Sequence, residues 1–227
     1  MTQEETRSIE YYYKAPPGVN PQYTLSQDWR KAGEIIGTAF YPNKFNQLIT
    51  EHCSLEENVK EYQERVEHVM QNNTLCLQSD DYSAVALWTP PEWRIVPYSI
   101  DLHGHFEFSE DEFKRCAEKF FVSYGIPYWH LTLVAKNVNS NTKGSVSKVM
   151  KPILEDAKER GIPAALECID ERARQIYEHY GFKTYEIIKI GEGSVNSLGE
   201  EQEGGEGLTL WYMIYNYDDK EHKPLDV

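Results

Sequence analysis

Along residues 129–190, the spacing of the apolar positions changes from one typical of a strand to one typical of a helix and back again. Residues 129–135 carry almost no charge, as expected of a strand that helices cover on both faces. Residues 145–160 carry apolar side chains at the i, i+3, i+4, i+7 spacing of a helix, and residues 163–169 form a second apolar run. A strand–helix–strand unit of this length implies a right-handed parallel crossover. The pattern predicts an α/β fold, a single domain whose central mixed sheet of about 6–7 strands is flanked by helices.

Apolar faces and capping patterns predict three helices in the N-terminal half. Residues 27–40 place their apolar side chains on one helical face. Ser54 and Glu57 have the spacing of a capping box, in which each side chain accepts a hydrogen bond from the backbone N–H of the other residue. Ser109 and Glu112 repeat that spacing ahead of another apolar run, so a further helix is predicted to begin there.

The other apolar runs predict two pairs of strands. Residues 74–78 and 82–88 flank a polar turn, which is typical of a hairpin. Residues 182–190 and 208–215 alternate in character and predict the last pair. The segment between that pair, residues 191–207, is rich in Gly and Glu, and we predict a mobile loop there.

The composition predicts one soluble domain with an acidic surface. The 227 residues suffice for one domain with a full core. We assign this domain to residues 23–217, between tails at 1–22 and 218–227. The formal charge of −14 disfavours nucleic acids and anionic membranes as partners, because both attract clustered Lys and Arg. The four cysteines show neither pairing nor metal-type spacing, and we predict no metal site and no transmembrane helix. These features favour a cytoplasmic protein, with the nucleus left open as a second compartment.

Two motifs within this framework carry a family resemblance. One is an Ala-x-x-x-Tyr-x-x-x-Gly-Phe pattern formed by Ala173, Tyr177, Gly181 and Phe182. The other is a polar loop that ends at Gly144 and leads into the helix over residues 145–160. In this order and spacing the chain resembles the GNAT superfamily of acetyl-CoA-dependent N-acetyltransferases. The strand that ends in Trp-Thr-Pro-Pro at residues 88–91 is similar to one in puromycin-type fungal and bacterial members.

The resemblance implies that acetyl-CoA is the acetyl donor and that its pyrophosphate lies at the helix start after this loop. Free backbone N–H groups and the helix dipole favour an anion at such a position. The residues implied in this contact are Asn141, Thr142, Lys143, Gly144, Ser145, Val146 and Ser147. The loop is a degenerate form of the family pattern, because Asn141 replaces a Gln or Arg, Thr142 replaces a common glycine and Val146 replaces a small residue.

The resemblance also implies contacts to the pantetheine arm. In the family the central strand splays from its neighbour and offers N–H groups to the thioester, here from Val134 and Lys136, with Val134 at the oxyanion. Asp170 stands where relatives carry an Asn that bonds the arm, and an ionised Asp can only accept hydrogen bonds. Arg174 is a candidate for a phosphate contact, with an ordinary surface position as its alternative.

Three side chains are candidates for the proton transfers. His130 precedes Val134 by four residues on the same strand, where the resemblance places the base that takes the amine proton. A structural histidine bonded in the core is an equal alternative. Glu167, at the end of the next strand, is a rival base or a solvated strand end. Tyr177 is the implied acid for the departing thiolate, although an apolar helix face would also accommodate a tyrosine.

The resemblance therefore implies an N-acetyltransferase that acts on a small primary amine by direct transfer in a ternary complex. A protein or peptide N-acetyltransferase and a degenerate domain that binds acyl-CoA or a partner protein without turnover are the alternatives. The connection at residues 92–108 is predicted to shape the acceptor pocket, with ordinary surface packing as its alternative. The candidates within it are Trp93, His103, His105 and Phe106. The oligomeric state is left open, with a dimer among the options.

Overall fold

A computed structural model describes residues 24–50, 53–91, 105–218 and 222–227. The strands are β1 (Thr24–Leu25), β2 (Leu75–Gln78), β3 (Ala84–Thr89), β4 (Trp129–Lys136), β5 (Ala164–Cys168), β6 (Lys183–Ile190) and β7 (Leu208–Tyr215). The helices are α1 (Trp29–Phe40), α2 (Lys44–Ile49), α3 (Leu55–Gln71), α4 (His105–Phe120), α5 (Ser145–Arg160) and α6 (Glu171–His179). The predicted tail at 1–22 and the pocket residues Trp93 and His103 lie outside the described residues. Only the backbone is described at His105 and Phe106.

The described strands form one mixed sheet in the order β1-β2-β3-β4-β5-β7-β6. The pair β4–β5 is parallel, and every other neighbouring pair is antiparallel. Side chains of α1 and α3 pack against β2, β3 and β4, and side chains of α4 pack against β5, β6 and β7. Helix α5 packs against another cluster of sheet residues, where α6 joins it. The predicted fold, an α/β domain with a seven-stranded mixed sheet between helices, is confirmed.

Two tryptophans from adjacent central strands fix α5 on the sheet. The Trp88 indole N–H donates to the Val149 carbonyl at 3.0 Å, and the Trp129 indole N–H donates to Asp156 Oδ2 at 2.7 Å. The two rings meet edge to face with their centroids 6.4 Å apart. All four groups are buried, so these bonds form in a medium of low dielectric, where they are strong. Trp88 and Trp129 therefore set the position of α5 over the middle of the sheet.

One capping-box prediction is confirmed and the other is wrong. The Ser54 side chain accepts a hydrogen bond from the Glu57 N–H, and the Glu57 side chain accepts one from the Ser54 N–H. Helix α3 begins at Leu55, directly after Ser54. Ser109 does not begin a helix, because α4 already runs from His105 and Ser109 is buried in its second turn. Nothing in residues 105–108 interrupts a helix, so the helix extends past the local capping signal.

The segment over residues 191–207, predicted to be a mobile loop, is a compact hydrogen-bonded excursion. Val195 is almost fully buried within it and bridges to Glu201 on the opposite side. Its glycines allow this folding, because Gly207 has a positive φ of 75° and a side chain there would meet the Ile190 carbonyl. Part of the predicted C-terminal tail also contacts the domain, since the Leu225 N–H donates to the Thr184 carbonyl at 2.8 Å.

Candidate active site

The centre of the sheet is open where β4 and β5 diverge. The two strands pair only over Trp129–Leu131 of β4 and Ala164–Leu166 of β5. Strand β4 continues to Lys136 and β5 continues to Cys168 without further pairing to each other. Backbone groups on the facing edges of this gap therefore lack the sheet partner that they would otherwise have.

A bulge in β4 decides which N–H groups face the gap. The β3–β4 register shifts by one residue, so Thr132 is the extra residue. Before the bulge, the Trp129 N–H points toward β5 and donates to the Pro163 carbonyl. After it, the N–H of Asn137, eight residues on, points toward β3 and donates to the Ser83 carbonyl. Alternate residues of a strand face the same neighbour, so the N–H groups of Val134 and Lys136 face the gap.

A cavity of about 720 Å³ runs through this opening. Six of the predicted site residues line it together: His130, Val134, Lys136, Glu167, Asp170 and Tyr177. Its remaining wall comes largely from aromatic and aliphatic side chains of α1, α2, α4 and the segment before β4. The volume is in the range of small-molecule sites, about 300–1,000 Å³.

His130 and Glu167 form a buried pair in this cavity. The distance from His130 Nε2 to Glu167 Oε2 is 2.9 Å, and the two side chains are only 8% and 12% exposed. The second ring nitrogen, Nδ1, lies 3.3 Å from the Thr132 hydroxyl. The Thr132 hydroxyl lies in turn 3.4 Å from that of Thr89. Glu167 is therefore not a solvated strand end, and as a rival base it would act while bonded directly to the imidazole.

Other ionisable groups surround this pair. Glu110 lines the same cavity, and burial raises the pKa of its carboxyl, with Arg65 acting against that rise and Glu167 adding to it. Tyr212 lies directly opposite Glu167 in the β5–β7 ladder, and its hydroxyl is buried without a hydrogen-bond partner among the described residues. Burial, together with the charge of Glu167, raises the pKa of Tyr212. Both environments favour the uncharged form of the group.

Tyr177 lies on the α6 side of the cavity. Its ring meets Phe182 edge to face at 5.8 Å, and its carbonyl accepts the Phe182 N–H at 3.1 Å. Between them Gly181 has a φ of +94°, a conformation that glycine adopts without strain. The Tyr-x-x-x-Gly-Phe spacing is thus a helix end that fixes the tyrosine. Burial raises the pKa of Tyr177, so its hydroxyl keeps its proton and is available as a donor.

The start of α5 has free backbone donors. Asp28, Asn43, Ser54 and Asp170 cap the starts of α1, α2, α3 and α6 with their side chains, whereas Gly144 gives α5 no side-chain cap. Gly144 has a φ of +73°, with open space where a Cβ would stand. The loop residues Asn141, Thr142 and Lys143 are exposed beside it. This arrangement is compatible with an anion such as a diphosphate.

Several predicted coenzyme contacts have other partners. The Ser147 hydroxyl bonds the Tyr180 hydroxyl at 2.7 Å, and the Ser145 hydroxyl is buried, so neither hydroxyl is a free, exposed donor for a phosphate. Asp170 Oδ1 accepts the Ala173 N–H at 2.7 Å as the cap of α6. The Arg174 guanidinium bonds three acceptors, the carboxylates of Glu171 and Glu178 and the Val227 carbonyl. A phosphate would have to displace these acceptors to reach Arg174.

Sequence reasoning missed Thr132 and Glu110. Thr132 is part of the site because it is the extra residue of the bulge and lies beside His130. Nothing in the sequence around it indicates a bulge. A helix that begins at Ser109 would place Glu110 in its polar first turn, where a carboxylate is expected to be solvated. Glu110 could have been found only by knowing that the helix begins at His105, which turns Ser109 and Glu110 toward the protein.

Relatives with similar sequences include proteins of two yeasts. No protein-family profile matches the chain. The chain is 34% identical over 138 residues to the uncharacterized protein YDR391C of Saccharomyces cerevisiae, a match over 60% of this chain and 59% of that protein. It is 23% identical over 188 residues to the uncharacterized N-acetyltransferase C550.08 of Schizosaccharomyces pombe, a match over 73% of this chain and 74% of that protein. The chain thus spans about three fifths of the first relative.

Solved structures show which fold this is. The chain aligns with the C-terminal condensation domain of Ebony, solved with beta-alanyl-dopamine, at a TM-score of 0.61 and 13% identity, over 85% of this chain and 95% of that one. It aligns with arylalkylamine N-acetyltransferase 2 of Aedes aegypti at a TM-score of 0.57 and 12% identity, over 85% and 96% of the two chains. The protein therefore has the GNAT acetyltransferase fold.

Two features are absent from the described residues. No helix among them has the length and apolar character needed to cross a bilayer. They contain no cluster of three or more His, Cys, Asp or Glu side chains placed to hold a metal ion.

Proposed function

We propose that the protein is an acetyl-CoA-dependent N-acetyltransferase that acts on a small primary amine by direct transfer in a ternary complex. One observation carries this proposal. The gap between β4 and β5 opens into a cavity that His130, Glu167 and Tyr177 line, next to the gap-facing N–H groups of Val134 and Lys136. The GNAT fold of the chain supports it.

The chain offers two places to hold the donor. The uncapped start of α5, from Gly144 onward, presents N–H groups to the pyrophosphate, and Lys143 adds a positive charge at its exposed side. The β4 edge presents the N–H groups of Val134 and Lys136 to the pantetheine arm and the thioester. In this assignment, backbone donors hold the coenzyme in place of the side chains of Asp170 and Arg174, which are hydrogen-bonded to other residues.

In the reaction, a C–N bond forms between the amine and the acetyl carbonyl carbon, the C–S bond breaks, the amine nitrogen loses one proton and the leaving thiolate gains one. His130 takes a proton from the attacking amine. The Val134 N–H donates to the carbonyl oxygen as it becomes negative, which is the largest electrostatic contribution in many acyl transfers. Tyr177 is the proton donor to the leaving thiolate in this proposal and is restored through solvent.

The acceptor side of the cavity favours a compact amine with an apolar body. Its walls include Phe40, Phe45 and Phe113, while the carboxylates of Glu110 and Glu167 lie near His130. Apolar walls with acidic groups at one end suit an amine on an aromatic or aliphatic body. The structurally similar mosquito protein is named for arylalkylamines, so we place this class first.

Calorimetry and a thiol-release assay test the proposal. Acetyl-CoA is titrated into the protein, and turnover is then measured with 2-phenylethylamine, agmatine and a lysine-containing peptide. We expect saturable coenzyme binding and release of free thiol that depends on the amine, fastest with 2-phenylethylamine. Binding without turnover on any amine would favour a non-catalytic acyl-CoA domain, and preference for the peptide would favour the protein acetyltransferase. No binding at millimolar coenzyme would overturn the proposal.

Replacing Tyr177 with Phe is expected to lower kcat about tenfold or more while leaving the Kd for CoA unchanged, because the ring and its Phe182 contact remain and only the proton donor is lost. Tyr180→Phe is the control, since Tyr180 is a neighbouring tyrosine of the same region whose hydroxyl bonds Ser147 instead. Equal turnover of Tyr177→Phe and the wild type would remove Tyr177 as the acid.

A further inference from the structure

We infer that Glu167 is a positioning residue, which fixes the His130 ring so that Nδ1, and not Nε2, takes the proton from the amine. This inference rests on the proposed function and assigns atoms within it. It also gives Glu167 a role different from that of a rival base, because Glu167 would act only through the imidazole.

The bond to Glu167 fixes which ring nitrogen carries hydrogen. An ionised carboxylate only accepts hydrogen bonds, and a neutral imidazole has one donor and one acceptor nitrogen. At 2.9 Å from Oε2, Nε2 must therefore be the donor, which leaves the lone pair on Nδ1. Both side chains are almost fully buried, so little water competes for this bond.

The position of Nδ1 matches this role. Nδ1 lies next to Thr132, the extra residue of the bulge, which stands between His130 and Val134 on β4. His130 and Thr132 both line the cavity, so the Nδ1 edge of the ring borders the space proposed for the amine. The Thr132 hydroxyl also has an alternative partner, the Thr89 hydroxyl, which is within 3.0 Å of the Thr74 hydroxyl. Thr132 can thus direct its proton away from Nδ1 and leave the lone pair free for the amine.

The proton balance of the step is simple. One N–H bond of the amine breaks as its nitrogen bonds the acetyl carbon, and the proton forms an N–H bond at Nδ1. The imidazole becomes an imidazolium whose Nε2–H still points at the Glu167 carboxylate. Glu167 neither gains nor loses a proton, and its negative charge stabilises the cation formed beside it. The positive charge leaves the ring when Nδ1 gives its proton to solvent.

A double-mutant cycle tests whether Glu167 acts through His130. Glu167→Gln is expected to lower kcat by about 10–100-fold, the range for carboxylates that orient a functional histidine. His130→Ala is expected to cost more, and adding Glu167→Gln to it should lower kcat by less than about threefold, because the ring to be oriented is gone. Independent, multiplicative losses would overturn the inference. So would a larger loss for Glu167→Gln than for His130→Ala, since that order marks Glu167 as the base.

Glu110→Gln is the matched control. It removes a carboxyl group from the same cavity, but the hydrogen bonds of His130 in the structure are to Glu167 and Thr132, so Glu110 acts on the imidazole only through space. Its effect, expected mainly in the KM for the amine, should multiply with that of His130→Ala. If Glu110→Gln also lost its effect in the His130→Ala background, the cycle would not identify a specific partner and the assignment of Glu167 would fall.

The tautomer can be read without any turnover. In the ¹⁵N-labelled protein, long-range proton–nitrogen correlation distinguishes Nε2–H from Nδ1–H imidazole. We expect Nε2–H for His130 in the wild type and a mixture of tautomers in Glu167→Gln. An Nδ1–H ring in the wild type would overturn the inference. Should no amine be acetylated, the proposed function fails while this measurement still decides the ring assignment.

Discussion

His130→Ala is expected to lower kcat by about 10²–10⁴-fold, the range that removal of a positioned general base produces. The Kd for acetyl-CoA should stay unchanged, because we propose that backbone groups of β4 and the start of α5 hold the donor. The physical reason lies in the pair geometry. The imidazole is almost fully buried, is held at 2.9 Å by Glu167 and lines the cavity beside the gap, so its removal takes away the proposed base.

Steady-state kinetics at several amine concentrations measure this effect, and chemical rescue identifies its cause. Added imidazole should restore part of the turnover of His130→Ala, because the space that the substitution leaves is continuous with the cavity. His179→Ala, an exposed histidine on α6, is the control and should match the wild type. A loss in His130→Ala that imidazole does not restore, accompanied by a lower Tm, would show that His130 serves the structure instead.

Periodicity and motif spacing predicted the parts of the fold that depend on local sequence. The apolar run of β4 and the 3.6-residue pattern of α5 identified the central crossover, and that crossover sufficed to predict the α/β class. The Tyr-x-x-x-Gly-Phe spacing predicted a helix followed by a strand, because Gly181 ends the helix and Phe182 returns to the core. These predictions succeeded since each depends on residues close together in the chain.

The site depends on contacts between strands, which local patterns do not encode. His130 meets Glu167 because parallel pairing places His130 opposite Ala165, two residues before the glutamate. The register of two parallel strands cannot be read from either one alone. The bulge at Thr132 is equally hidden, and strict alternation from Trp129 would have turned the Val134 N–H toward β3. The choice of Val134 came from the family resemblance, and the bulge supplies the physical reason for it.

Local signals also failed where the surrounding protein overrode them. Ser109 and Glu112 have the spacing of a capping box, yet the preceding residues continue the helix and Ser109 is buried. The segment over residues 191–207 has the composition of a flexible loop, yet its glycines allow tight turns around Val195. For Ser109 the deciding residues precede the capping pattern. For residues 191–207 the deciding contacts lie within the segment, between residues whose pairing the composition does not indicate.

Val134→Pro is expected to lower kcat/KM by about 10²–10³-fold without unfolding the protein. Proline lacks the N–H, and loss of one oxyanion donor costs about this much in acyl transfer. The bulge makes the strand tolerate this change, because the Val134 N–H faces the gap and has no sheet partner to lose. Proline is accepted on such unpaired edges of a sheet.

Ala135→Pro is the matched control, since it places the same ring one residue further along the same strand. The Ala135 N–H faces β3, where Ala135 pairs with Val85, so its removal leaves a buried carbonyl without a donor. That loss costs about 1–3 kcal/mol. Thermal unfolding should therefore give a Tm several degrees lower for Ala135→Pro than for Val134→Pro. At a low temperature, where both variants are folded, Val134→Pro should lose more activity than Ala135→Pro. Equal Tm values would show that the alternation argument is wrong, and an active Val134→Pro would show that acetyl transfer does not use this N–H.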